Sequence, residues 1–184
     1  MRWSRITLGA LDLVPRDRRV PGPGATYLMA PFTHVSPDRP SRFTRGDFGV
    51  LYVAERFETA LLETMHHHAR FIASTAEPPG WTSQFRELML DLAADLRGGA
   101  AALPPALDPD NYDEAQALSA SLRAGGSDGL IYPSQRDPDG QCVGLFYPDS
   151  GANLIQGRHL DYHWDGGRVD LYRDAGSGEI YRVR

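Results

Sequence analysis

The sequence is short of the features that most readily announce a function. One cysteine, Cys142, stands among 184 residues, which excludes an internal disulfide framework and any paired-cysteine metal knuckle. No apolar run approaches the ~20 residues that cross a bilayer, and Met1 to Ala10 lacks the apolar core of a secretory signal. A reducing, cytoplasmic setting is therefore expected. Positive charge is also in deficit: 19 basic against 24 acidic residues gives a net charge of −5 with histidine neutral, and a pI near 5.6. That balance argues against a protein that coats nucleic acid or anionic lipid through its overall field. The phosphate-binding GxxxxGK(S/T) loop, the GxGxxG strand–helix turn, HExxH and the GxSxG elbow are all missing. What remains is the length of a single domain, about 100–200 residues being usual for one. Enzyme, binding module and interaction protein all stay open.

Proline and glycine, by contrast, are plentiful early. Pro15, Pro21, Pro23, Pro31, Pro37 and Pro40, with Gly22, Gly24 and Gly49, predict an ordered, loop-rich N-terminal third without long regular elements. A second irregular stretch, residues 98–110, contains Pro104-Pro105 and an alanine run; its length predicts a lid, a surface loop or a partner contact. Between them, residues 50–54 read as a short strand buried on both faces. Residues 57 to about 75 read as an amphipathic helix with Phe57, Ala60, Leu61, Thr64, His68 and Phe71 on one stripe. In residues 84–92, Leu88, Leu90 and Leu92 alternate as in a strand while Phe85, Leu88, Met89 and Leu92 fit a helix, and the strand is the preferred reading. Asn111 with Glu114 resembles a capping box for a helix that Gly125-Gly126 ends. Residues 129–133 and 142–147 read as two strands joined by a turn-rich segment at 136–140, and residues 169–172 and 180–183 as a C-terminal hairpin. The order predicts a mixed α/β, or α+β, layout.

Several side chains within this frame could carry chemistry. Adjacent helical side chains diverge by about 100°, so His66, His67 and His68 cannot converge on one ion, and no metal is expected. The same geometry predicts His68 toward the core and His66 toward solvent. His67 is left beside Glu63, one turn earlier, either as a locally bonded helix histidine or as a ligand contact. Glu63 stands in the otherwise apolar run Thr59-Ala60-Leu61-Leu62-Glu63-Thr64-Met65. A carboxylate at the rim of a buried stripe is costly unless paired or used, so it is either a structural ion pair with an arginine or a functional acid. Arg42 and Arg45, in Ser41-Arg42-Phe43-Thr44-Arg45-Gly46, are solvated loop arginines or, because the guanidinium fork matches two anionic oxygens, pyrophosphate ligands. Ser134 follows a short strand and reads as a turn residue, a helix cap or a ribose contact. Cys142 reads as inert packing.

In order and spacing these pieces resemble the RES family, named for Arg, Glu and Ser residues, which supplies the toxin of bacterial toxin–antitoxin pairs. The resemblance is carried by Ser41-Arg42-Phe43 with Gly49-Val50-Leu51-Tyr52-Val53-Ala54; by Glu58-Thr59-Ala60-Leu61-Leu62-Glu63 with His67 and Phe71; by Gly125 to Arg136; and by Cys142-Val143-Gly144-Leu145-Phe146. It covers about residues 27–150 of a single domain spanning 1–184, with the C-terminal hairpin at about 168–184. The compact form and its Ser-Arg-Phe motif resemble the ParT-like branch.

The resemblance implies an ADP-ribosyltransferase-like fold with small split sheets around an NAD cleft. It implies NAD as substrate and no metal. By motif position Arg42 would contact the NAD phosphates, Tyr52 would hold the nicotinamide end, Glu63 would be the catalytic acid residue, Ser134 would lie near the nicotinamide ribose, and His67 matches a histidine frequent after the glutamate. One departure stands out. Many RES proteins carry an arginine in an early Tyr-Arg pair, but here Tyr27 precedes Leu28, so phosphate binding falls on Arg42 with Arg45 or Arg136 as substitutes. The implied activity is cleavage of the nicotinamide–ribose bond with transfer of ADP-ribose to a protein, a nucleotide-precursor synthetase being the implied acceptor. The alternatives are an NAD-depleting glycohydrolase or phosphorylase and, in another class, a non-catalytic nucleotide-binding module. The implied partner is a cognate antitoxin that covers the cleft, with an exposed Leu62 or the 98–110 loop as contact points, and that carries the DNA contact. No direct nucleic-acid or membrane contact is expected of this chain.

Overall fold

The computed structural model describes residues 11–98, 108 and 111–183. In chain order the elements are α1 (Ala25–Thr33), β1 (Leu51–Ala54), α2 (Phe57–Ala73), β2 (Thr82–Leu92), β3 (Leu96–Gly98), α3 (Asp113–Ala124), β4 (Gly129–Pro133), β5 (Gln141–Leu145), β6 (Gly151–Trp164), β7 (Val169–Asp174) and β8 (Ile180–Arg182). They build two four-stranded sheets, ordered β1-β5-β4-β3 and β2-β6-β7-β8. Every strand pair is antiparallel except β3 with β4. The mixed α/β layout read from the sequence is the one observed.

Strand alternation divides the first sheet into two faces. Leu130, Tyr132 and Cys142 point to one, where they meet Phe43, Phe48 and the α3 residue Ala115. Leu51, Val53, Ile131, Val143 and Leu145 point to the other, against Val14 and the α1 residue Phe32. Gly49 lets α1 come this close, because a Cβ there would collide with the backbone of Pro31 and Phe32. The second sheet carries α2: Leu61, Met65 and Ile72 rest on Leu160, Tyr162, Trp164 and Val169. A cavity of about 820 Å³ lies between the sheets, walled by residues such as Leu51, Val53, Phe85, Val143 and Leu160.

The structure corrects several expectations. β1 is an edge strand, paired with β5 alone, and Tyr52 on it is 39% exposed rather than buried. The apolar stripe of α2 is rotated from the predicted one: Phe71 is 60% exposed, while Thr59 is buried because its hydroxyl bonds to Asp137. The proline-rich N-terminal third does contain a helix, α1, with Pro31 inside it. α3 opens without the capping box; Asn111 Oδ1 instead accepts the Asp113 N–H at 3.0 Å, a turn just outside the helix. Leu62 is half-buried, not exposed. The strand reading of residues 84–92, the β4–β5 hairpin and the C-terminal β7–β8 hairpin are all observed, though β5 ends at Leu145. β6, the longest strand, was not anticipated. Most of the 98–110 stretch, residues 99–107 and 109–110, lies outside the described residues. No described helix is long and apolar enough to cross a membrane.

Candidate functional site

The apolar stripe of α2 turns toward the second sheet, so Glu63, two residues beyond Leu61, turns away from it and meets the β4–β5 turn. Its Oε1 accepts two hydrogen bonds, from Ser134 Oγ at 2.6 Å and from the Gln135 N–H at 3.1 Å. Its Oε2 lies 3.8 Å from His67 Nε2, and the side chain is 22% exposed. One carboxylate oxygen is thus pinned, while the other accepts no hydrogen bond from the described residues and has His67 beside it.

Ser134 owes its position to the turn it starts. Its Oγ accepts the N–H groups of Arg136 and Asp137 at 3.1 and 3.0 Å, a serine turn of the usual kind. Having accepted two bonds and donated one to Glu63, the hydroxyl has its capacity filled. Asp137 fastens the same turn back to the start of α2, accepting from Thr59 Oγ1 at 2.5 Å and from Arg56 Nη2 at 2.7 Å. Those bonds, Thr59 first, hold its carboxyl below the usual carboxylate range. Of the readings open for Ser134, the structure assigns the turn, and adds that the turn's product is an oriented Glu63.

Tyr52 is fixed from the other side. Its hydroxyl shares a hydrogen bond with Ser41 Oγ at 2.7 Å and accepts the Phe43 N–H at 3.1 Å, and its ring stacks on Phe43 at 6.0 Å. Burial of the hydroxyl pushes the phenol above its ordinary value, against the opposing pull of Ser41 and Phe43, while the residue as a whole stays 39% exposed. Beneath lie Tyr132, edge-on to Phe43, and Cys142, whose thiol burial pushes up to about 11. A thiol there is not ionised at neutral pH, so Cys142 is packing, as expected.

The cations differ in how they are held. Arg42 donates to the Asp108 carbonyl oxygen at 3.2 Å and lies over the Tyr112 ring at 5.0 Å. Arg45 has both of its partners on α3: Gln116 Oε1 at 3.2 Å and Asp113 at 3.6 Å. Arg136 meets His66 Nε2 at 2.9 Å. Since guanidinium only donates, His66 is the acceptor and carries its proton on Nδ1. His66 is therefore half-buried against Arg136 instead of facing solvent.

Burial is the main cause that holds His66 and His67 below the ordinary histidine value; Arg136 adds to it for both, and Glu63 opposes it. His67 is 61% exposed, and Arg70, Arg136 and Arg42 all lower its value further. His68 turns inward to Phe85 at 4.7 Å, as predicted, and burial lowers its value too. Among the described residues no three His, Cys, Asp or Glu side chains converge as metal ligands.

Arg42, Tyr52, Glu63, His67 and Ser134 thus share one site on the α3-facing side of the first sheet, with Arg45 directed to α3. Sequence reasoning missed the Gln135 N–H, the Tyr112 platform under Arg42 and the Asp137 fastening. The only sequence sign of the last was an aspartate three residues after a serine in a turn.

A family model, the RES domain, matches residues 16–165, which is most of the chain. The chain belongs to the RES family. The matched span runs wider than the 27–150 expected, taking in α1 through β6 and ending before the β7–β8 hairpin. The two small sheets with three helices are consistent with the RES fold, and membership is consistent with an NAD-acting module of a toxin–antitoxin pair. A search of curated proteins finds no match.

Proposed function

We propose that this RES-family site cleaves the nicotinamide–ribose bond of NAD and passes ADP-ribose to a protein acceptor. The observation that carries the reading is Glu63, with Oε1 held by Ser134 and Gln135 and Oε2 accepting no hydrogen bond from the described residues. Nicotinamide departs as a neutral molecule with the electron pair of the broken C1′–N bond, so no proton has to be delivered to it. The ribose acquires oxocarbenium character, as in glycoside hydrolysis. What such a reaction needs is one oriented carboxylate beside the developing cation and the ribose hydroxyls. Preorganised contacts of this kind contribute about 100- to 1,000-fold in rate. Tyr52 offers a fixed, partly exposed ring to the flat nicotinamide. Arg42, oriented by Tyr112 and the Asp108 carbonyl, anchors the phosphates and lets binding at the adenylate end position the bond to be broken. Ser134 acts through Glu63 as a positioning residue.

The exposure of His67 next to Oε2 supports a second reading, in which water or inorganic phosphate takes the ADP-ribose and the cell's NAD is depleted. A cognate antitoxin seated over the site would block either reaction, and the acceptor we favour is a nucleotide-precursor synthetase. Incubating the chain with NAD labelled in its adenylate half, alone and with cell lysate, tests these readings together. A labelled protein band is the expected result; free ADP-ribose or ADP-ribose 1-phosphate would favour depletion. Absence of nicotinamide release would leave a binding module.

A further inference from the structure

Tyr27 is followed by Leu28, which is buried, so that part of α1 brings no cation to the site. A pyrophosphate carries two negative charges, and the chain has no lysine, so any second fixed cation must be another arginine. Of those near Glu63, Arg45 is spent on Gln116 and Asp113 and Arg56 on Asp137. Arg70, one turn beyond His66 on α2, has no hydrogen bond among the described residues to orient it. Arg136 is different. It is exposed, it has no carboxylate within ion-pair distance among the described residues, and its guanidinium is clipped at 2.9 Å to an imidazole nitrogen.

We propose that Arg136, held in place by His66, is the second cation of the phosphate subsite, acting together with Arg42. This rests on the reading of the site as an NAD site. A guanidinium clipped to a carboxylate is already neutralised; clipped to a neutral acceptor it is oriented and keeps its whole charge for an incoming anion. His66 is such an acceptor, since burial and the adjacent Arg136 keep its imidazole uncharged. The position also fits the substrate. In a dinucleotide the phosphates are joined to the nicotinamide ribose through C5′, so they lie close to the carboxylate that serves C1′. The turn that pins Glu63 through Ser134 carries Arg136 two residues on, with its backbone N–H on the same Ser134 oxygen.

The test compares full-length wild type, Arg136→Gln, Arg136→Lys and His66→Gln for ADP-ribose affinity by calorimetry and for nicotinamide release from NAD. Arg136→Gln is expected to weaken ADP-ribose and raise KM for NAD by about 10- to 100-fold, with kcat within about threefold, since the contact is remote from the bond that breaks. Inhibition by free nicotinamide, which has no phosphate, should not change. Arg136→Lys should restore part of the loss, and His66→Gln, whose flexible amide replaces the fixed imidazole acceptor, should raise KM by a smaller factor than Arg136→Gln does. If Arg136→Gln binds ADP-ribose like wild type, or loses kcat with KM unchanged, the proposal is overturned while the NAD reading stands. If wild type neither binds ADP-ribose nor releases nicotinamide, the NAD reading fails and takes this proposal with it.

Discussion

The two sheets are built for different work. Strands of the first are short, three to five residues each, and end in turns whose polar groups are committed to one another: Ser41 and Phe43 to Tyr52, Ser134 and Asp137 to Glu63 and α2. The second is dominated by β2 and β6, 11 and 14 residues long, and supplies none of the site's side chains. α2 belongs to both. Leu61, Met65 and Ile72 bind it to the second sheet, while Glu63, about 200° around the helix from Leu61, faces the first. A scaffold with no chemistry of its own therefore sets where the carboxylate stands. Stability and activity should be separable by sheet.

The largest expected effect is on the scaffold. Trp164→Ala removes a buried side chain from the cluster under α2 and should cost about 3–5 kcal/mol of stability. Nicotinamide release per folded molecule should hold nearly constant; urea denaturation beside activity at low temperature checks this, and a proportionate fall in kcat would break the division between the sheets. Ser134→Ala should do the reverse. It frees Glu63 Oε1 from a charge-assisted hydrogen bond worth about 1.5–3 kcal/mol, so kcat should fall by about 10- to 100-fold. The melting temperature should fall by less than in Trp164→Ala, because the loss is confined to one turn, where the Arg136 and Asp137 N–H groups lose their Oγ acceptor.

The smallest effect is a pH dependence shared between the halves. His66, His67 and His68 are all held below the ordinary histidine value by burial, so near pH 6 the unfolded chain binds more protons than the folded one. The stability they contribute is fully present above about pH 6.5 and is lost as pH falls toward their folded values. Asp128 and Asp137, held below the carboxylate range, act only at more acid pH. His68→Phe, within the aromatic group of Phe85 and Tyr162, should flatten the melting temperature between about pH 7.5 and about pH 5.5, one unit either side of the free value. An unchanged slope would place the titration in the site histidines instead.

The parts legible in the sequence are those whose signal is local. α2, the β4–β5 hairpin and the β7–β8 hairpin follow from periodicity and turn residues, and Glu63 was recognisable as a charge in an apolar run. β6 was not, because Gly151, Gly157 and the register shifts opposite β2 interrupt its alternation; only Leu160, Tyr162 and Trp164 keep a clean period of two. α1 was hidden by Pro31, whose missing N–H argues against a helix at the sequence level but is tolerated in nine residues packed on the first sheet. The rotation of the α2 stripe was invisible for another reason. Thr59 is buried to reach Asp137, 78 positions away, and no helical period encodes a partner at that distance. Within the site, which residues matter was readable, but not that Ser134 serves Glu63 or that Arg136 leans on a neutral histidine. Both depend on a turn that brings residues 134–137 onto α2.

The central claim is that the Glu63 carboxylate, pinned at one oxygen and open at the other, drives cleavage of the nicotinamide–ribose bond. Glu63→Gln tests it most directly, because the amide oxygen can still accept from Ser134 and Gln135 while the charge is removed. Nicotinamide release should fall by about 100- to 1,000-fold, with the melting temperature and ADP-ribose affinity close to wild type. Release from the Glu63→Gln protein at the wild-type rate would contradict the account.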